Sequence, residues 1–144
     1  ENTLLVSKNK AISDKNKAVY LYNENFDASE LNIKFDYIIS HSVMSHAAYW
    51  QLKLFLENCL KVLKPNGKLL FSLVLQNKNE GWRKEETMDD RWHYPDSVFI
   101  SRERFLSFAS PLFNSIMECE DVKDLLIKSH DSCVHDWFLC QNIE

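Results

Sequence analysis

At 144 residues with a formal net charge of −4, this chain is long enough to bury one core, and 45% hydrophobic and 26% charged residues are an ordinary globular balance. Its lysines are dispersed and leave no basic stripe to track a phosphate backbone, so nucleic acid is excluded as the expected partner. No apolar run approaches the roughly 20 residues of a membrane span and the opening residues lack a signal-peptide pattern, which sets a cytoplasmic expectation.

In chain order, residues 1–17 are polar and Lys/Asn-rich around Leu4-Leu5-Val6, and residues 18–23 read as a short strand. Residues 35–40 (FDYIIS) are an apolar, β-branched burst. Leu52, Phe55, Leu56, Cys59, Leu60 and Leu63 then recur at helical spacing and predict a helix with one apolar stripe facing a sheet. Pro65 cannot continue that helix and Asn66-Gly67 supplies turn chemistry, so the helix is expected to end near Lys64. Residues 68–75 (KLLFSLVL) form the near-continuous apolar run of a parallel strand covered on both faces. Strand, helix and strand together predict a parallel βαβ unit.

Residues 76–97 form a connection longer than usual, leaving the carboxyl end of the second βαβ strand, where open α/β sheets bind ligands. This segment carries Trp82, Arg83, Arg91, Trp92, His93 and Tyr94. Aromatic and guanidinium groups suit a substrate cover, with Arg83 or Arg91 meeting an anionic group; simple pinning of the loop by Trp82 and Trp92 is the competing reading. Cys59, Cys119, Cys133 and Cys140 show no paired short spacings and are expected as reduced thiols. His130, Cys133, His135 and Cys140 cluster near the end, but zinc ligands usually come as two short-spaced pairs on turns, and positions of opposite parity in a strand face opposite ways. No metal is expected.

FDYIISHSVMSH, a helix and VLKPNGKLLFS resemble the fourth strand, following helix and fifth strand of the class I S-adenosylmethionine-dependent methyltransferases. Residues 101–113, 115–122 and 136–141 resemble the next helix, the sixth strand and the last strand, and residues 1–13 the second strand and the start of its helix. The resemblance implies a three-layer Rossmann-like α/β fold in one domain over residues 1–144, with a mostly parallel sheet and an antiparallel last strand. It also implies S-adenosylmethionine as cofactor. The family's glycine-rich first turn has no counterpart, since Gly67 and Gly81 are the only glycines, and Val6 and Ser7 stand where a ribose-binding acid is expected. The chain therefore reads as the C-terminal portion of a longer methyltransferase, with the N-terminal part of the fold absent and inactive alone.

Asn25, Phe26, Asp27 and Ala28 resemble the segment that meets the adenine, Asp27 through its carboxylate and Ala28 through its amide. Asn25 and Asp27 read equally well as turn residues. Ser40, His41, Ser42 and Val43 leave the fourth strand into the crevice and are expected to line the methyl donor. A neutral imidazole accepts protons near neutrality, which makes His46 and His41 the candidate bases, with His93 third. The expected function is methyl transfer to a small-molecule acceptor. A non-catalytic methyltransferase-like scaffold and an unrelated Rossmann-like nucleotide-binding protein are the alternatives.

Overall fold

The computed structural model of the chain describes residues 3–6, 19–22, 25–77, 84–121 and 135–143. Two short strands, β1 (Thr3–Val6) and β2 (Val19–Tyr22), pair antiparallel in a sheet of their own, with Leu4 in register with Leu21. β1 is the strand expected at the opening, though it pairs antiparallel outside the main sheet, and the helix start expected after it lies outside the described residues. A parallel crossover needs a dozen or more connecting residues and usually a helix, whereas an antiparallel partner needs only a return of the chain. Residues 7–18 lie outside the described residues.

The predicted βαβ unit is present. β3 (Phe35–Ser40) leads through a 3-10 turn (Met44–His46) into α1 (Tyr49–Val62), and β4 (Leu63–Leu73) returns parallel to β3. Leu52, Phe55, Leu56 and Cys59 are buried as the periodicity requires, joined by Val62 and Asn58. The helix stops two residues earlier than expected, because Leu63 is already extended and pairs with Phe35. Between that pair and the next, Tyr37 with Lys68, residues 64–67 bulge out of the ladder. Asn66 takes the left-handed conformation there (φ 59°). Gly67 serves a different need, since a Cβ would come within 2.9 Å of the carbonyl oxygens of Lys64 and Phe35.

Beyond β4, α2 (Arg102–Ala109) is capped by Ser101, whose hydroxyl accepts from the Arg104 amide at 3.3 Å. β5 (Ser115–Glu118) and β6 (Asp136–Gln141) complete a four-stranded sheet of order β3-β4-β6-β5. β6 runs antiparallel to both neighbours, so β3, β4 and β5 point one way and only the last strand opposes them. On one face Leu69, Phe71, Phe138 and Cys140 pack with Leu52, Phe55 and Leu56 of α1 and Phe105 and Ala109 of α2. Fully burying each such side chain contributes about 1.5–3 kcal/mol. The row on the other face, Ile39, Leu70, Leu139 and Met117, stays partly open among the described residues. No described helix is long and apolar enough to cross a membrane.

Candidate functional site

The carboxyl ends of β3 and β4 gather a cluster of imidazoles. Ser42, in a left-handed conformation (φ 57°), turns the chain off β3 and donates its amide to Ser72 Oγ at 2.9 Å. The ring of His41 stacks on Trp137 with centroids 5.0 Å apart and meets His135 edge-on at 5.3 Å. His135 Nδ1 lies 3.3 Å from Ser72 Oγ. Burial holds the His135 pKa below its ordinary value, reinforced by His41 and His46. His135 and Trp137 were absent from the site expected from sequence. Their signal was available: Trp137 is in register with Ser72, one position beyond the pairing of Phe71 with Ser40, which carries the head of the last strand to the predicted crevice.

His46 is 8% exposed and sits in the 3-10 turn rather than in the helix that follows. Its Nδ1 lies 2.8 Å from the carbonyl oxygen of Asp96. A carbonyl only accepts, so Nδ1 carries the proton and donates it, which leaves Nε2 of the neutral ring with a lone pair. No described group makes a hydrogen bond to that nitrogen, and it is not among the buried unsatisfied atoms, which are Ser45 Oγ and Trp137 Nε1.

The segment supplying this carbonyl, residues 84–100, is a strap laid across the 3-10 turn and the start of α1. Backbone bonds hold it: His93 N to His46 O at 2.9 Å, Val98 N to Ser45 O at 2.7 Å, and Tyr49 N to Asp89 O at 2.9 Å. Met88, Val98 and Ile100 are its buried anchors. Tyr49 and Glu86 add a polar clasp. The tyrosine hydroxyl donates to the Glu86 carboxylate, Arg104 Nε lies 2.8 Å from that carboxylate, and the Arg104 guanidinium stands 4.9 Å over the Tyr49 ring. Burial raises the Glu86 carboxyl, but bonds from Tyr49 and Ser101 and the charge of Arg104 outweigh it and hold its pKa low. Burial and the Glu86 contact push the Tyr49 hydroxyl up to about 12.

Trp92 and Tyr94 are 46% and 70% exposed, so neither anchors the strap. Both face His46, at 6.1 and 5.3 Å between ring centroids. His93 Nε2 lies 2.7 Å from Asp89 Oδ1, and Arg91 Nη2 2.8 Å from Asp89 Oδ2. These bonds, from Arg91 first and His93 second, hold the Asp89 carboxyl far below its ordinary range. Trp82, Arg83, His130 and Cys133 lie outside the described residues.

On the other side of β3 a mainly apolar pocket of about 490 Å³ opens. Of the residues expected to meet the cofactor, Phe26, Ala28, Ser40 and Val43 line it; Leu21, Ile38, Met44 and Phe55 join them, while Asn25, Asp27, His41 and Ser42 do not. Asn25 and Asp27 build the turn beside it. Asn25 Oδ1 accepts from the Asp27 amide at 3.1 Å, and Asp27 Oδ1 from the Ser29 amide at 2.8 Å. Hydrogen bonds from the Ser29 hydroxyl and amide keep the Asp27 carboxyl low. Asn58 Nδ2 fastens the turn to α1 through Asn25 O at 2.7 Å. An apolar slot of this size suits an aromatic base such as adenine, but no described residue builds a glycine turn to cradle an amino-acid end. Cys59 on the pocket wall and Cys140 in β6 are buried free thiols, and burial pushes both up to about 12. Among the described residues no group of histidine, cysteine and acidic side chains is placed to hold a metal ion.

The arrangement matches solved methyltransferases. Human N-acetylserotonin methyltransferase in complex with S-adenosylmethionine superposes over 76% of this chain and 30% of its own, at 12% identity and a TM-score of 0.50. An S-adenosylmethionine-dependent methyltransferase from Methanosarcina mazei covers 84% of this chain and 66% of its own, at 10% identity and 0.53. This chain has the class I S-adenosylmethionine-dependent methyltransferase fold. An O-methyltransferase family protein from Burkholderia thailandensis agrees, at 9% identity and 0.52 over 85% of this chain and 35% of its own. The chain thus spans between about a third and two thirds of the length of these methyltransferase-fold proteins. No protein-family model and no curated protein sequence matches it.

Proposed function

We propose that this chain takes part in S-adenosylmethionine-dependent methyl transfer to a small-molecule acceptor, as the acceptor-side portion of a longer, cytoplasmic enzyme. The observation that supports the reading is His46 in the turn at the head of α1, held through Nδ1 by the Asp96 carbonyl and beside the strap, in a chain with a methyltransferase fold. The cofactor, when bound, supplies a methyl group already activated on a sulfonium sulfur, so the protein's work is alignment and proton removal. Phe26, Ala28, Ser40 and Val43 would hold its adenosine end in the apolar pocket, with Asp27 in the adjoining turn and His41 and Ser42 at the end of β3. His46 removes the acceptor's proton at Nε2, while the Asp96 carbonyl fixes the ring's tautomer. The His41, His135 and Trp137 cluster walls off the far side of the crevice. Residues 84–97 of the loop form the acceptor-side wall.

The missing glycine turn favours a second reading, a scaffold module that kept the fold without the reaction. Amide spectra recorded during titration with S-adenosylhomocysteine separate the two. Methyl transfer predicts saturable shifts at Phe26, Ala28 and Val43 with affinity weaker than low micromolar, because the amino-acid end has no cradle here. Unmoved amides at those positions would favour the scaffold.

A further inference from the structure

We propose that Trp92, Tyr94 and His46 form a binding site for a positively charged amino group, so that the acceptor is an organic ammonium compound rather than an anion. The inference rests on the acceptor-side reading above. Stability does not explain why two large aromatic rings stand 46% and 70% exposed on a segment already anchored by its backbone bonds and by Met88, Val98 and Ile100. Both rings flank one imidazole that is more than nine-tenths buried, bonded through Nδ1 to the Asp96 carbonyl and with no protein hydrogen bond at Nε2. Aromatic faces attract cations, and a lone pair accepts a hydrogen bond from an ammonium group.

The charges around the rings agree. Between residues 84 and 97 there are two cations, Lys84 and Arg91, against five carboxylates, Glu85, Glu86, Asp89, Asp90 and Asp96, and of these Glu86 is paired with Arg104 of α2 and Asp89 with Arg91. Arg91 pairs with Asp89 through Nε and Nη2, so part of its charge is offset within the strap. Asp90 and Asp96 are exposed and no described cation pairs with either. An anion would meet a field of the wrong sign, whereas an ammonium group is drawn in.

Benzylammonium and benzoate, alike in ring and opposite in charge, are suitable probes. In amide and indole spectra of the chain, benzylammonium should shift the Trp92 indole and the His46 ring signals saturably, and benzoate should leave them in place. Trp92→Ala should weaken benzylammonium binding by about 2- to 30-fold with its melting temperature near that of the parent. If Trp92→Ala proves unfolded, Tyr94→Leu is read by the same criterion. Benzoate binding as tightly as benzylammonium would overturn the inference, as would full affinity in a folded Trp92→Ala or Tyr94→Leu variant. Shifts at Phe26 and Val43 with S-adenosylhomocysteine report the methyl-transfer reading separately. Their absence while benzylammonium still binds counts against that reading alone, and the reverse pattern counts against the ammonium site alone.

Discussion

The two sides of β3 are finished to different degrees. On the strap side, backbone bonds, three buried anchors and the Glu86 clasp fix His46 to one tautomer and set two aromatic rings beside it. On the other side the chain offers apolar walls and a turn, while Tyr37 and Ile39 of the edge strand remain 66% and 68% exposed. Positioning a proton acceptor needs fixed polar geometry, and enclosing a flat ring needs little more than shape and apolar area. Each side therefore carries residues suited to the part proposed for it.

The strongest test of this division is His46→Ala. In the full-length enzyme it should lower kcat by about 10²–10⁴ per folded molecule while leaving S-adenosylhomocysteine shifts at the pocket unchanged, and equal losses on both sides would erase the distinction. Next is Leu56→Ala on α1, which serves both sides. It should cost about 2–5 kcal/mol in urea unfolding, against almost nothing for exposed Lys53→Ala. Equal small effects would mean that α1 does not tie the two sides together.

Glu86→Gln should act on the strap alone. It removes a charged partner from Tyr49 and Arg104 and should loosen the strap by about 1–3 kcal/mol, read as faster amide exchange at residues 87–98 with the pocket unaffected. The smallest effect concerns pH. The His135 pKa is lowered in the fold from 6.5, so the unfolded chain takes up a proton first as pH falls. Stability is then full above 6.5 and declines as pH drops from 6.5 through the depressed folded value. His135→Asn should flatten the decline between pH 7 and 5 in denaturant melts, and an unchanged slope would place the responsible group elsewhere.

The sheet and α1 were legible because their signal is periodic and local. Leu52, Phe55, Leu56 and Cys59 fall on one stripe whatever lies beyond them, and FDYIIS and KLLFSL announce strands by composition. That Phe26, Ala28, Ser40 and Val43 share one pocket was legible because the order of elements places them at one end of the sheet. The strap was not legible in this way. Residues 84–100 look structureless because their order comes from main-chain bonds to distant residues, which leave no pattern in side-chain type. The pairing of Arg91 with Asp89, two residues away, was likewise not legible, because only the folded turn brings the two side chains together. Trp92 and Tyr94 were expected on the acceptor side from the loop's position and composition, yet their place beside His46 depends on where the strap lands.

One of those main-chain bonds bears on how the chain folds. α1 begins after Ala48, which has no capping side chain, and its Tyr49 amide is satisfied by Asp89 O, while the Trp50 indole reaches Asp90 O across 40 positions. The first turn of the central helix thus depends on a contact of high sequence separation, and closing so long a loop is slow. During synthesis the N-terminal end of α1 would stay frayed until the strap had emerged and docked. Kinetically, the amide of Tyr49 should gain protection late, together with His93 and Val98, after the middle of its own helix is already formed.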